Sequence, residues 1–377
     1  MVVAPGYDVI TAGINLTRLK LDLLCSGIRI DDSLKHGILP RYRYKRASLS
    51  EGRSFILSHG DFSTVINLAV YEKFVRSSPY EYDHKKRLLL KDGEPICGFE
   101  LTKDPDWYLE KLDDGTMFGS YIQLHGTSVL ATSLTNYCVF KDDNEGCSFC
   151  GLTLDRDNKK KSPERLASIL QAIEKKHPGL YYELNINSGT LRSDDMGAEM
   201  FVETLREIRK VSLIAVAAQL APMKDFKWVD RLKDAGLTSL SFNLEIWDDE
   251  LRKKIIPGKE KIPKKYYLDI LEYAGNIFGG LNVSSWLIGG LEPIESTLKG
   301  AEEIAKRGVL PFVTAFRPII GSTLEDASPT STDTMIRIYE RLKKILEKYD
   351  LNPKNAESGC AKCDCCAAGR EILAFGI

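Results

Sequence analysis

From about residue 117 onward the apolar positions follow two alternating rhythms. Short runs rich in β-branched and small apolar residues, at 181–187, 213–219, 239–244, 282–288 and 311–316, have the length and composition of buried strands. Between them, at 194–210, 225–235, 263–278, 294–306 and 333–348, apolar residues return every third or fourth position, which predicts amphipathic helices. Upstream, 120–134 is extended in character. A helix is expected over 162–176, with Ser162 as its cap and Pro163 at its first position, where a missing N–H costs nothing. Turn signals at Ala235-Gly236-Leu237 and Arg307-Gly308-Val309 separate the segments. Strands alternating with helices in this way build right-handed βα units and a parallel sheet. The expected class is α/β, with six strands in a partial or full TIM-like (β/α) barrel; a doubly wound open sheet has the same periodicity.

Residues 1–115 break this rhythm. The stretch 88–101 reads as a hairpin turning at Asp92-Gly93, and Arg41-Tyr42-Arg43-Tyr44-Lys45-Arg46 is either an ordinary solvated face or a nucleic-acid contact. The expected division is an N-terminal extension (1–115) packed on the barrel at its substrate side, the barrel (116–350) and a C-terminal cysteine-rich tail (351–377).

Composition narrows the partners. Hydrophobic residues make up 43% and charged ones 28%, so the chain folds around a core. With 52 Lys plus Arg against 53 Asp plus Glu there is no basic field to gather nucleic acid. No apolar run is long enough for a membrane span, and the N-terminus lacks a basic segment followed by an apolar one, so a cytoplasmic location is expected.

Nine cysteines change the picture most, because seven fall in two tight groups. Clusters in a cytosolic chain point to metal or iron–sulfur ligation, not to a disulfide framework. The first group is Cys138, Cys147 and Cys150, within Tyr137-Cys138-Val139-Phe140-Lys141-Asp142-Asp143-Asn144-Glu145-Gly146-Cys147-Ser148-Phe149-Cys150. Three thiolates on a loop hold three irons of a cubic cluster and leave the fourth open to a ligand. A structural zinc site, the competing assignment, wants four ligands. The second group is Cys360, Cys363, Cys365 and Cys366. It reads as a second [4Fe–4S] cluster, a zinc site or a redox-reactive thiol set. Neighbouring Cys365 and Cys366 strain a single-cluster assignment, so one of them is spare in some readings, with Cys25, Cys97 or a non-cysteine group in its place. The five histidines, His36, His59, His84, His125 and His177, show no ligand spacing, and structural or capping roles are expected of them.

The Cys147-Ser148-Phe149-Cys150 half of the first motif resembles the radical S-adenosylmethionine (SAM) enzymes, although the first gap is longer than their usual one. The resemblance covers about 120–321. The runs from Ala235 to Glu245 and from Ile255 to Lys259 are similar to the biotin synthase branch. Implied by this resemblance are a barrel of the radical SAM type and a [4Fe–4S] cluster that binds SAM through its open iron. It also implies Phe149 against the purine, Asn243 and Glu245 on the ribose or the substrate, and backbone at Ile288 and Gly289 against adenine. Ser188 and Gly189 would lie at the SAM amino group, and Arg317 would steer a carboxylate. The alternative for Glu245 is an ion pair with a nearby Lys. No acid–base residue is implied.

The cysteine tail extends the resemblance to the two-protein lipoyl synthases, biotin-synthase-like proteins with two clusters each. What that implies is sulfur insertion. One electron from a ferredoxin-type donor cleaves SAM, the resulting radical takes hydrogen from an octanoyl or mercapto-octanoyl chain on a lipoyl carrier protein or peptide, and an auxiliary [4Fe–4S] cluster in the tail donates sulfur. A second radical SAM synthase is an implied partner. The rivals are another two-cluster radical SAM reaction, in cofactor or peptide maturation, with the second cluster passing electrons, and a non-catalytic metal-binding module.

Overall fold

The computed structural model describes residues 15–35, 52–59, 62–151 and 160–377; the basic-aromatic run 41–46 lies outside them. Two sheets organise the chain. The first is antiparallel, with strands β1 (Arg53–His59), β2 (Phe62–Leu68), β3 (Tyr80–Asp83), β4 (Leu88–Lys91) and β5 (Glu94–Leu101) in the order β2-β1-β5-β4-β3. The expected hairpin is β4–β5: Lys91 pairs with Glu94 across Asp92 and Gly93, both at positive φ, the geometry a two-residue turn requires. Phe55, Leu57, Ile66, Leu89 and Phe99 give this layer its own core, closed by the helix Leu16–Ser26.

The second sheet holds β6 (Gln123–His125), β7 (Val129–Ser133), β8 (Glu183–Asn187), β9 (Ala215–Leu220), β10 (Ser239–Phe242), β11 (Val283–Gly289) and β12 (Leu310–Ala315), in sequential order. β7 to β12 are all parallel, and only β6 runs antiparallel to its neighbour. The fold is thus α/β with a curled, mostly parallel half-barrel, its end strands unpaired with each other among the described residues. The helices fall where the periodicity puts them, at Pro163–Lys176, Ala198–Arg209, Lys227–Asp234, Lys264–Phe278, Ile294–Ala305 and Thr332–Lys348. Ser162 caps the first of these by accepting from the Arg165 N–H at 3.2 Å. One expectation needs correction: 120–134 is not a single extended segment. Phe118–Tyr121 is a helical turn, and β6 and β7 form a hairpin around Gly126, which carries positive φ.

Side chains alternate along these strands, as period two demands. Leu184, Ile186, Leu240, Phe242 and Leu287 join the main core. Asn185, Ala217, Gln219, Ser239, Ser241 and Ser284 face a cleft on the other side, together with residues of the tail. A parallel sheet covered on both faces normally shows near-continuous apolar strands. Here the concave face is small and polar because its cover is a cysteine-bearing segment. Among the described residues no helix is long and apolar enough to cross a membrane.

Candidate active site

The first cysteine loop springs from the end of β7 and is fastened mostly by backbone. Leu134 N–H reaches Asn187 O at 2.9 Å, Gly189 N–H reaches Thr135 O at 3.1 Å, and Val139 N–H reaches Thr190 O at 2.8 Å. Gly189 permits this approach: a Cβ there would lie 1.8 Å from Tyr137 O and 3.0 Å from Cys138 Cβ. Farther along, Ser148 N–H donates to Ile255 O at 2.8 Å, and Arg192 holds Asp143 at 2.5 Å. Cys147 and Cys150 then flank Phe149, which is buried with Ile246, Ile256, Ile288 and Phe316. None of the three thiols is in a disulfide. Burial pushes the Cys147 thiol well up, the Glu245 carboxylate adds to this, and Cys150 and Cys138 are near enough to contribute. Three thiols outside any disulfide, near one another where βα folds place their chemistry, fit a three-thiolate cluster site.

Glu245 stands directly after β10 with φ +67, an uncommon conformation for a residue with a side chain. Two backbone bonds hold it there, to Trp286 O at 2.7 Å and from Ile288 N–H at 2.9 Å. Its carboxylate pairs with Lys259 at 2.9 Å and lies 4.0 Å from Cys147 Sγ. The lysine alternative is therefore realised, with the pair beside the Cys147 thiol. Burial disfavours the Lys259 charge, but Glu245 and Cys147 outweigh it and hold the amine charged.

The other expected residues divide. Ile288 and Phe149 line one cavity with Trp286, Thr314, Ala315, Phe316, Arg317 and Ile319. Arg317 donates to Asn67 O of β2 at 2.9 Å, so the N-terminal layer closes that side. Asn243 is tied into the half-barrel, accepting from Ser241 at 2.6 Å and donating to Gln219 at 3.1 Å. The Ser188 hydroxyl donates to Gly189 O at 2.8 Å. Gly289 faces outward: a Cβ there would meet Met335 Sδ at 2.8 Å, on the helix Thr332–Lys348. Its missing side chain serves helix packing.

The second cysteine group lies within the half-barrel. Ser358 meets Ser239 at 2.6 Å and the Gly359 N–H donates to Glu183 at 2.8 Å, so the tail docks at the starts of β8 and β10. Cys360 Sγ accepts from Gln219 Nε2 at 3.2 Å and Asn185 Nδ2 at 3.7 Å. Cys363 and Cys365 sulfurs are 3.2 Å apart. All four tail cysteines line one cavity, and Cys366 also lines the cavity below Phe149. Trp286 lines both, and its indole N–H, buried, has no hydrogen-bond partner among the described residues. The site thus brings the two groups to adjoining cavities.

Cys25 and Cys97 do not join them. They sit in the cores, and burial pushes both thiols up to about 12. The histidines separate as well. His177 ends the helix Pro163–Lys176 and meets Asp106 at 2.9 Å, a capping role as expected. His125 is the residue that sequence reasoning missed: its ring nitrogen and the sulfurs of Cys363 and Cys365 all lie within 4.8 Å of one another. Burial opposes a charge on this ring, yet the adjacent Cys363 and Cys366 raise its pKa well above the usual histidine value. Its only signal in the sequence was its place on the strand-like run ahead of the first motif.

A bacteriochlorophyllide c C-7(1)-hydroxylase from Chlorobaculum limnaeum is 33% identical over 136 residues, 36% of this chain and 34% of that protein. The matched segment thus spans about a third of the length of that relative. Among solved structures, methylornithine synthase aligns over 57% of this chain and 62% of its own, at 17% identity and a TM-score of 0.42. A radical SAM methyltransferase from Sphaerobacter thermophilus aligns over 64% and 73%, at 15% identity and a TM-score of 0.43. The model of the radical SAM superfamily matches residues 132–327, over half of the chain and from the first cysteine loop to the end of the half-barrel, and the chain belongs to that superfamily.

Proposed function

We propose that this radical SAM enzyme inserts sulfur in the manner of a lipoyl synthase, acting on an octanoyl or mercapto-octanoyl chain borne by a lipoyl carrier protein or peptide. One observation carries the reading: the first cysteine loop's Phe149 and tail Cys366 line the same cavity, with Ile288, Phe316 and Ile319 as apolar wall. An acyl chain suits such a wall. A reaction that joins a carbon radical to sulfur needs its substrate between the radical source and the sulfur source.

Cys138, Cys147 and Cys150 hold the [4Fe–4S] cluster that, with SAM, supplies the hydrogen-abstracting radical in this superfamily. The chain's own residues do the positioning. Lys259 and Glu245 fix charge beside Cys147, the Trp286 indole offers a buried N–H to whatever enters, and Arg317 stands ready for a carboxylate or carbonyl. The packed aromatics exclude water, which an unquenched radical requires. A second metal centre in the tail, on thiolates from Cys360, Cys363, Cys365 and Cys366, belongs to the same reading. So do a ferredoxin-type electron donor, a companion synthase, a cytoplasmic location and the division into extension (1–115), barrel (116–350) and tail (351–377).

A second reading rests on the hydroxylase likeness: C–H hydroxylation of another substrate, the tail centre passing electrons. Anaerobic turnover with an octanoyl-lysyl peptide separates the two. Thiolated or dithiolated peptide supports sulfur insertion; SAM cleavage with hydroxylated product or none removes it. Iron analysis of the reconstituted protein comes first: about eight irons per chain fits two cubic clusters. About four with stoichiometric zinc makes the tail structural.

A further inference from the structure

The tail offers more donors than its four cysteines. His125, Cys360, Cys363, Cys365 and Cys366 all line the same cavity, inside the half-barrel and against β7, β8, β9 and β12. Cys360 Sγ accepts from two amide donors, Gln219 and Asn185. Cys363 and Cys365 approach each other and the imidazole within 4.8 Å, a spacing that one metal atom can bridge. Cys365 and Cys366 are neighbours in the chain, and Cys366 turns far enough to line the adjoining cavity below Phe149 as well.

The backbone around His125 is built for this approach. Gly126 follows it with φ +66, and a Cβ there would lie 3.1 Å from Cys365 Sγ, so only a residue without a side chain lets the turn sit against that sulfur unstrained. The turn is anchored by the Gly126 N–H to Ser54 Oγ at 3.1 Å, and the tail by Asn67 N–H to Cys365 O at 2.9 Å. Both anchors belong to the N-terminal layer, which clamps the histidine turn and the cysteine tail together.

We infer that His125 is a metal ligand, supplying the non-cysteine donor to a mixed imidazole–thiolate centre with Cys363 and Cys365. This rests on the reading that the tail binds metal. An imidazole in place of a thiolate removes one negative charge from the ligand set, which raises the reduction potential of an iron–sulfur centre. It also ties the centre to a strand far from the tail in sequence, so that metal binding fastens the tail to the half-barrel.

X-ray absorption at the edge of the bound metal tests this in the full chain carrying Cys138→Ala, Cys147→Ala and Cys150→Ala, which leaves only the tail centre. The protein is reconstituted anaerobically with iron and sulfide, and zinc is measured alongside. The expected spectrum contains imidazole scattering that His125→Cys abolishes while metal remains bound. His125→Ala is expected to lose metal from the tail. Metal in the tail with sulfur scattering alone, unchanged by His125→Cys, overturns the inference and leaves the auxiliary-centre reading standing. A tail that takes up no metal overturns both.

Discussion

The two cysteine groups are built in opposite ways. The mouth loop keeps its three thiols within thirteen consecutive residues, and its scaffold is mainly backbone: strand ends, a glycine contact and short loops. The tail keeps its four closer still in sequence, but its scaffold is long-range and charged. Lys20, 1% exposed, donates to Glu371 at 2.9 Å and to Asp364 O at 2.9 Å, and Thr64 donates to Glu371 at 2.7 Å. Asp364 in turn accepts from the N–H groups of Gly369 and Arg370, shaping the turn that carries Cys363, Cys365 and Cys366. A backbone scaffold depends on local chain geometry, whereas a buried ionic one depends on all its members being present. The two groups should therefore fail separately.

The largest effect expected is on the mouth. Cys138→Ala, Cys147→Ala and Cys150→Ala together should reduce SAM cleavage to background while the tail still takes up metal on reconstitution, because the tail is docked through Ser358, Gly359 and Lys20 and not through the mouth loop's backbone. Iron content and 5′-deoxyadenosine formation check this. Loss of metal from both groups would show that they assemble as one unit.

Lys20→Met is the converse. It leaves Glu371 and Asp364 buried without their cation, and breaking a buried pair costs on the order of 3–5 kcal/mol. Burial already pushes Asp364 up to about 7 despite Lys20, so the site is poorly suited to unpaired carboxylates. Urea unfolding should show that loss, and reconstitution should show the second metal site emptied with the first intact. An intact second site would mean that the cysteines and His125 suffice to hold the tail.

How far each group was legible follows from the same contrast. The six parallel strands, the cap at Ser162 and the hairpin at Asp92-Gly93 all rest on neighbours in sequence, and each is found in the structure. His125 was not legible, because its partners are far away in the chain and its ligand-like character exists only once the tail has folded back into the half-barrel. Lys20 likewise has its partners far away in the chain, on the tail, whose buried cation it is. At Gly289 the missing side chain makes room for Met335 Sδ, a packing demand set by a helix more than forty residues away in the chain.

Gly189→Ala tests the backbone scaffold alone. A Cβ placed 1.8 Å from a carbonyl oxygen must displace the Tyr137–Cys138 segment. Overpacking of this kind costs up to about 3 kcal/mol, and the displaced thiol should weaken iron retention at the mouth while the tail stays loaded. Differential scanning calorimetry and iron analysis measure both. Unchanged iron would show that the loop has slack that the close contacts do not suggest.

The smallest effect lies between the groups, where the N-terminal layer meets the mouth. Glu72 is buried, and that burial pushes its carboxyl up to about 7 from 4.5, against the pull of its own backbone hydrogen bond and of Arg317. A carboxyl whose folded pKa is raised contributes stability fully below the unfolded value and loses it as pH rises through the folded one. The stabilisation should fall between about pH 5 and pH 8, by about 2 kcal/mol over that window. Glu72→Gln cannot ionise, so relative to the unsubstituted chain it should gain that amount on going from pH 5 to pH 8, as read by urea unfolding at each pH. Because Glu72 belongs to neither cysteine group, the metal bound by the reconstituted protein should stay constant across the series. A pH-dependent loss of metal from the Glu72→Gln protein at only one group would show which of the two leans on the N-terminal layer through Arg317.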